Sequence, residues 1–243
     1  MTAHGRRAGG SGSGAIGGSA RRAVPAAPPT GPAAGPEPSV RDLRGFPAPR
    51  GSRTGPVRLV RELRYPVGDL VVASGLPGSG KSTLMKRTVP ERDRRGRAVL
   101  RVDSQDTRER FEAWLPVRLP YAVYRPLVRI AHYAGLRRAL RSGASLVVHD
   151  CGTPRWVRPW LARHARRQGR DLHLVLLDVE PALALAGQAA RGRMVSRRAF
   201  RRHVRAVREL VTQVESGRPP PGCASVALLD RGAADALGGI GFG

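Results

Sequence analysis

Residues 75–83 read Gly75-Leu76-Pro77-Gly78-Ser79-Gly80-Lys81-Ser82-Thr83 and fit the spacing G-x-x-x-x-G-K-[ST]. Glycines at these positions let the main chain curl until several N–H groups point at one anion. A helix starting near Gly80 adds its positive end. Lys81 then neutralises the outer phosphates of a triphosphate, and the Ser82 hydroxyl ligates Mg²⁺. The expected ligands are therefore ATP and Mg²⁺, held by the loop from Gly75 to Thr83.

Such a loop needs a strand before it and a helix after it. Leu70–Ser74 reads as the strand, and Ser82–Val89 as a helix stopped by Pro90. Similar apolar runs occur at Ala98–Val102, Ser145–His149, Leu172–Leu177 and Ser225–Leu229, with helical patterns between them. This alternation predicts an α/β fold with a five-stranded parallel sheet covered by helices on both faces. Ligands of such sheets gather beyond the carboxyl ends of the strands. Acids stand there after the second to fifth strands: Asp103 and Asp106, Asp150, Asp178 and Asp230. Asp150, following Leu146 to His149, occupies the place of a second Mg²⁺ ligand beside Ser82. Asp103 and Asp106, on a strand expected next to the loop strand, are candidate bases for an acceptor hydroxyl. Arg108 nearby suits a substrate phosphate, or keeps the acid ionised. A structural role competes in each case: Asp150 can cap the next turn, and Asp106 the next helix.

The third requirement is a cation over the transferring phosphoryl group. Arg191-Gly192-Arg193 lies between the helical run Pro181–Ala190 and a long amphipathic helix. A lid at about 187–197 would carry both arginines over the nucleotide. The long helix starts after Ser196, buries Phe200, Val204, Val207, Leu210, Val211 and Val214, and leaves an arginine face. The segment between the second and third strands is long enough for a substrate-binding insertion, with a helix opening at Pro126 and using Leu127, Ile130, Ala134 and Leu140 as its apolar positions. Trp156 and Trp160 recur at helical spacing and read as packing on the sheet.

Composition sets the wider bounds. The chain has 243 residues and a net charge of +25. Lysine occurs only at Lys81 and Lys86, so the excess is arginine. A nucleic-acid-binding surface would explain that bias, and so would a GC-rich coding sequence. Residues 1–56, rich in Gly, Ala, Pro, Ser and Arg, show no period and read as a disordered tail before a domain at 57–243. Cys151 and Cys223 lack metal-type spacing, and a reduced, cytoplasmic chain is the expectation. No apolar stretch approaches the ~20 residues that span a bilayer.

The glycine loop, the acids and Arg108 after the second strand, Asp150-x-x-Thr153 and the R-G-R turn together resemble the P-loop kinase-type ATPases. That group includes the kinase part of phage polynucleotide kinase and zeta-toxin-like kinases, and many members are described as AAA-family ATP-binding proteins. The resemblance spans about 66–231. It implies a second strand beside the third, Mg-ATP as phosphoryl donor, a hydroxyl acceptor and a closing lid. It places the base on Asp106 or Asp103 and the lid cations on Arg191 and Arg193. One departure stands out: the polynucleotide-kinase pattern Asp-x-x-Arg is one residue short here, where Asp106 is followed by Thr107-Arg108. The leading expectation is a phosphotransferase moving the γ-phosphate to a hydroxyl on a small molecule or nucleic acid. An ATP hydrolase or nucleotide-gated switch, and an arginine-rich nucleic-acid-binding protein regulated by ATP, are the alternatives.

Overall fold

The computed structural model describes residues 38–45, 62–114, 120–150, 156–192 and 195–243, all within one unit, Pro36–Gly243. Of the expected tail, residues 1–37 and 46–56 lie outside the described residues, as do 57–61 at the start of the expected domain. In chain order the elements are β1 (Ser39–Asp42), β2 (Leu63–Tyr65), β3 (Leu70–Gly75), α1 (Lys81–Thr88), β4 (Leu100–Val102), α2 (Ser104–Trp114), α3 (Tyr121–Arg141), β5 (Leu146–Asp150), α4 (Val157–Arg166), β6 (Leu172–Leu177), α5 (Pro181–Ala189), α6 (Arg197–Glu215), β7 (Ser225–Leu229), α7 (Arg231–Ala236) and β8 (Ile240–Phe242).

The main sheet is parallel throughout, in the order β1-β7-β6-β3-β5-β4. Its central strands carry continuous apolar runs because both faces are covered. Leu70, Val72, Leu146, Val148, Leu174 and Leu176 pack on one face with residues of α3, α4 and α6. Val71, Ala73, Val147, Val175 and Leu177 pack on the other with α1, α7 and the β2–β8 pair. The period of two decides which side chains reach the phosphate loop.

Three expectations change. The sheet has six strands, because Ser39–Asp42, inside the segment read as tail, pairs in parallel with β7. A second sheet, β2 with β8, joins the two ends of the domain. And β4 lies beside β5 rather than beside β3, so the acids after β4 stand two strands from the loop strand. The resemblance had placed the second strand beside the third, as observed.

Helix α6 matches its pattern, with Ser196 accepting the Ala199 N–H at 3.3 Å and Phe200, Val207, Leu210, Val211 and Val214 buried. Helix α3 does not. It starts at Tyr121 and runs through Pro126. Leu127 and Ile130 are 57% and 66% exposed, and the buried face is Val128, Leu136, Ala139 and Leu140.

Candidate active site

Strand β3 delivers Gly75 to the carboxyl edge of the sheet, and the chain curls through Gly80 into α1. Gly78 has φ +86°, and a Cβ there would run into the main-chain oxygen of Ala184 on α5. Gly187, one turn later, meets the Gly78 carbonyl in the same way, at 2.5 Å from its own would-be Cβ. The loop therefore lies backbone to backbone against α5, which only glycines permit.

Lys81 is 3% exposed, and its Nζ donates to the carbonyls of Gly75 (2.9 Å) and Leu76 (2.7 Å). These bonds hold the ammonium inside the ring of the loop. The Ser82 hydroxyl donates to Asp103 Oδ2 at 2.7 Å. The other oxygen of Asp103 accepts the Gln105 N–H at 2.9 Å and lies 2.7 Å from His149 Nδ1. Burial alone would raise the Asp103 carboxyl. The hydrogen bond and charge of His149, with the Gln105 N–H and the Ser82 hydroxyl, outweigh it and hold the group well below the usual carboxylate range. A carboxylate so strongly stabilised is a poor proton acceptor and a good oxygen ligand.

The sequence places a Mg²⁺ ligand, direct or through water, at Asp150. That residue shares the face of Leu146 and Val148, and its Oδ2 lies 3.5 Å from Arg158 Nε of α4. His149, one residue earlier, points to the loop side and, with Ser82, lines the small cavity behind Lys81. The acid bonded to Ser82 is Asp103. Asp178 and Asp230 are also engaged elsewhere. Asp178 accepts Arg44 Nη1 at 2.9 Å, while Asp230 caps α7 through the Ala233 N–H and accepts the Gly45 N–H, each at 2.7 Å.

Asp106 stands in the first turn of α2 and, with Asp103, walls a cleft between α2 and α3 of about 360 Å³. Arg108 donates to Glu112 at 2.6 Å. Arg191 reaches the loop helix, where its Nη2 donates to Thr83 Oγ1 at 3.0 Å. Arg193 and Thr153 lie outside the described residues.

Sequence reasoning missed two residues. His149 is the partner that fixes Asp103. Gln188 is 4% exposed and joins the phosphate loop to the start of α6: its Nε2 donates to the Pro77 carbonyl and its Oε1 accepts the Val195 N–H, both at 3.1 Å. The available signal was a lone amide inside the apolar run Pro181–Ala189.

The sequence profile described as "AAA domain" matches residues 70–213, from the loop strand into the last turns of α6. The chain belongs to the AAA domain family. Its fold is also similar to that of a chain in the solved PezAT chromosomal toxin–antitoxin system of Streptococcus pneumoniae, with 15% identity, 71% of this chain and 72% of that chain covered, and a TM-score of 0.50. No curated protein matches the chain at a significant level. This AAA domain is a P-loop, kinase-like nucleotide-binding fold of the α/β class. Among the described residues no helix is long and apolar enough to cross a membrane.

The donors present suit Mg²⁺. Ser82 Oγ and Asp103 Oδ2 are hard oxygens 2.7 Å apart, and no cluster of three or more His, Cys, Asp or Glu metal ligands occurs among the described residues. Mg²⁺ in phosphoryl-transfer sites takes one or two protein oxygens and completes its shell from phosphates and water.

Proposed function

We propose that this AAA domain protein is a Mg-ATP-dependent phosphotransferase that moves the γ-phosphate to an acceptor hydroxyl held between α2 and α3. The observation that carries the reading is the Ser82–Asp103 hydrogen bond, which joins the phosphate loop to the acidic wall of the cleft. Main-chain N–H groups of Gly78, Gly80 and Lys81 hold the β- and γ-phosphates, and Lys81 supplies the positive charge. Ser82 and Asp103 would hold Mg²⁺, which neutralises charge on the phosphate oxygens. Asp106 takes the acceptor proton, since Asp103 is too strongly stabilised for that task. The acceptor oxygen bonds to the γ-phosphorus, and the bond from that phosphorus to the bridging oxygen breaks with its electron pair going to ADP. Arg191, with Arg193, steadies the developing charge from the lid side.

The test is a labelled γ-phosphate transfer screen against pooled metabolites and oligonucleotides, with Lys81→Ala as the blank. Asp106→Ala should abolish transfer and spare ATP hydrolysis. Equal loss of both activities would favour a hydrolase instead.

One observation favours a second reading. Arg197, Arg198, Arg201, Arg202, Arg205 and Arg208 are all exposed on α6, as a phosphate-tracking face requires. A gel shift across a salt series tests it: nucleic-acid binding by this face falls steeply with salt.

A further inference from the structure

The cleft between α2 and α3 carries more than an acidic wall. Asp103 and Asp106 stand at one side, and Arg101 and Arg110 also line it. Among the described residues neither arginine has an ion-pair partner, and Arg110 spends only its Nε, on the Asp106 carbonyl at 3.2 Å. His132 of α3 lines the cleft as well, and its Nδ1 is buried without a hydrogen-bond partner among the described residues. The His132 ring stands in the wall of the cleft, where an imidazole can meet a ligand hydroxyl. Gly135 completes the wall, and a Cβ there would meet nothing within 4 Å, so the absent side chain leaves room.

Size and charge then narrow the occupant. At about 360 Å³ the cleft sits near the floor of the range for small-molecule sites, about 300–1,000 Å³. It fits one sugar-sized unit and is too small for a nucleotide pair. Two unpaired guanidiniums favour a phosphate or carboxylate, which they bind in fork geometry. Resting on the phosphotransferase reading above, we infer that the acceptor is a small polyhydroxylated anion, a sugar phosphate or sugar acid, seated by Arg101, Arg110 and His132 with one hydroxyl presented to Asp106. The transfer is the one written above, with the acceptor hydroxyl as nucleophile, ADP as leaving group and the proton on Asp106.

The experiment measures acceptor-stimulated ADP release by the full chain with Mg-ATP, using hexose phosphates, sugar acids, the matching neutral sugars, and oligonucleotides with a free terminal hydroxyl. Nucleotide binding is followed by calorimetry on the same preparation. The expected result is stimulation at least tenfold stronger for the charged sugars than for their neutral counterparts. Comparing the two charged panels tells whether phosphate or carboxylate is the natural anion. Arg101→Gln with Arg110→Gln should collapse that preference by raising the acceptor KM with little change in kcat. His132→Phe should raise the KM for both kinds of sugar. If His132→Phe does not fold, Gly135→Leu narrows the cleft without removing a polar group and should raise the same KM. Neutral sugars or oligonucleotides performing as well as the anions would overturn the inference. So would a charge preference that survives the double arginine variant, or no stimulation by any compound in protein that binds Mg-ATP. Failure to bind Mg-ATP at all would instead bring down the underlying reading, and the acceptor with it.

Discussion

Removing the Gln188 crossbar should weaken nucleotide binding far more than a core substitution of similar size. The amide is buried, and its two bonds fasten the Pro77 carbonyl in the loop and the Val195 N–H beyond the R-G-R turn. Gln188→Leu keeps the volume and loses both. Each lost bond is worth about 0.5–1.5 kcal/mol, and the stranded Pro77 and Val195 groups add desolvation, so about 2–4 kcal/mol is expected in all. At roughly 2–4 °C per kcal/mol for a domain of this size, the melting temperature should fall by about 4–16 °C. Gln188→Glu separates the two halves. It still accepts from Val195 but cannot donate to Pro77, and it sets a carboxylate against a carbonyl. A penalty of about 1–2 kcal/mol at the loop corresponds to roughly five- to thirty-fold weaker nucleotide binding. The assay is titration of a fluorescent ATP analogue with Mg²⁺ present, beside a melting curve for each variant. If both variants melt lower yet bind nucleotide within about twofold of the wild type, Gln188 steadies the fold without holding the loop for nucleotide, and the crossbar argument fails.

Further outcomes follow from single groups. The Asp103 carboxyl is held below its usual range, so its stabilising contribution is full above the unfolded value near pH 4 and is lost as pH falls through the lower folded value. The melting difference between wild type and Asp103→Asn should therefore be largest at neutral pH and shrink in strong acid; a difference that does not change with pH would contradict the assignment. Burial pushes the Cys223 thiol up to about 11, so it should resist thiol reagents at pH 8 until the protein unfolds. Rapid labelling of Cys223 in the native protein, read by mass spectrometry, would be inconsistent with its burial. Arg44→Ala removes partners of Asp42, Asp178 and Glu215 at once and should lower stability by about 1–2 kcal/mol, measured by urea unfolding.

Strands β3, β6 and β7 were legible because their runs are continuous and Val/Leu-rich, the mark of a strand covered on both sides. Strand β1 was not, since Ser39-Val40-Arg41-Asp42 offers one apolar residue and earns its place by pairing alone. The loop was read residue by residue, because its spacing is dictated by the anion. The bond from Ser82 to Asp103 was not legible, because folding brings together two residues from different units of the chain, with His149 on the loop side of β5 and Asp150 near Arg158. Gln188 could not be foreseen, because its meaning lies in two main-chain groups, Pro77 and Val195, that folding brings to one amide.

Strand β1 bears on how the protein can be shortened. A gene cut at the start of the apparent domain, near residue 57, would strip this outermost ribbon and leave the β7 backbone from Ser225 to Leu228 without its neighbour. Bare sheet margins of that kind recruit other copies. Material trimmed so closely should clump during purification, whereas protein retaining everything from Pro36 onward should stay dispersed.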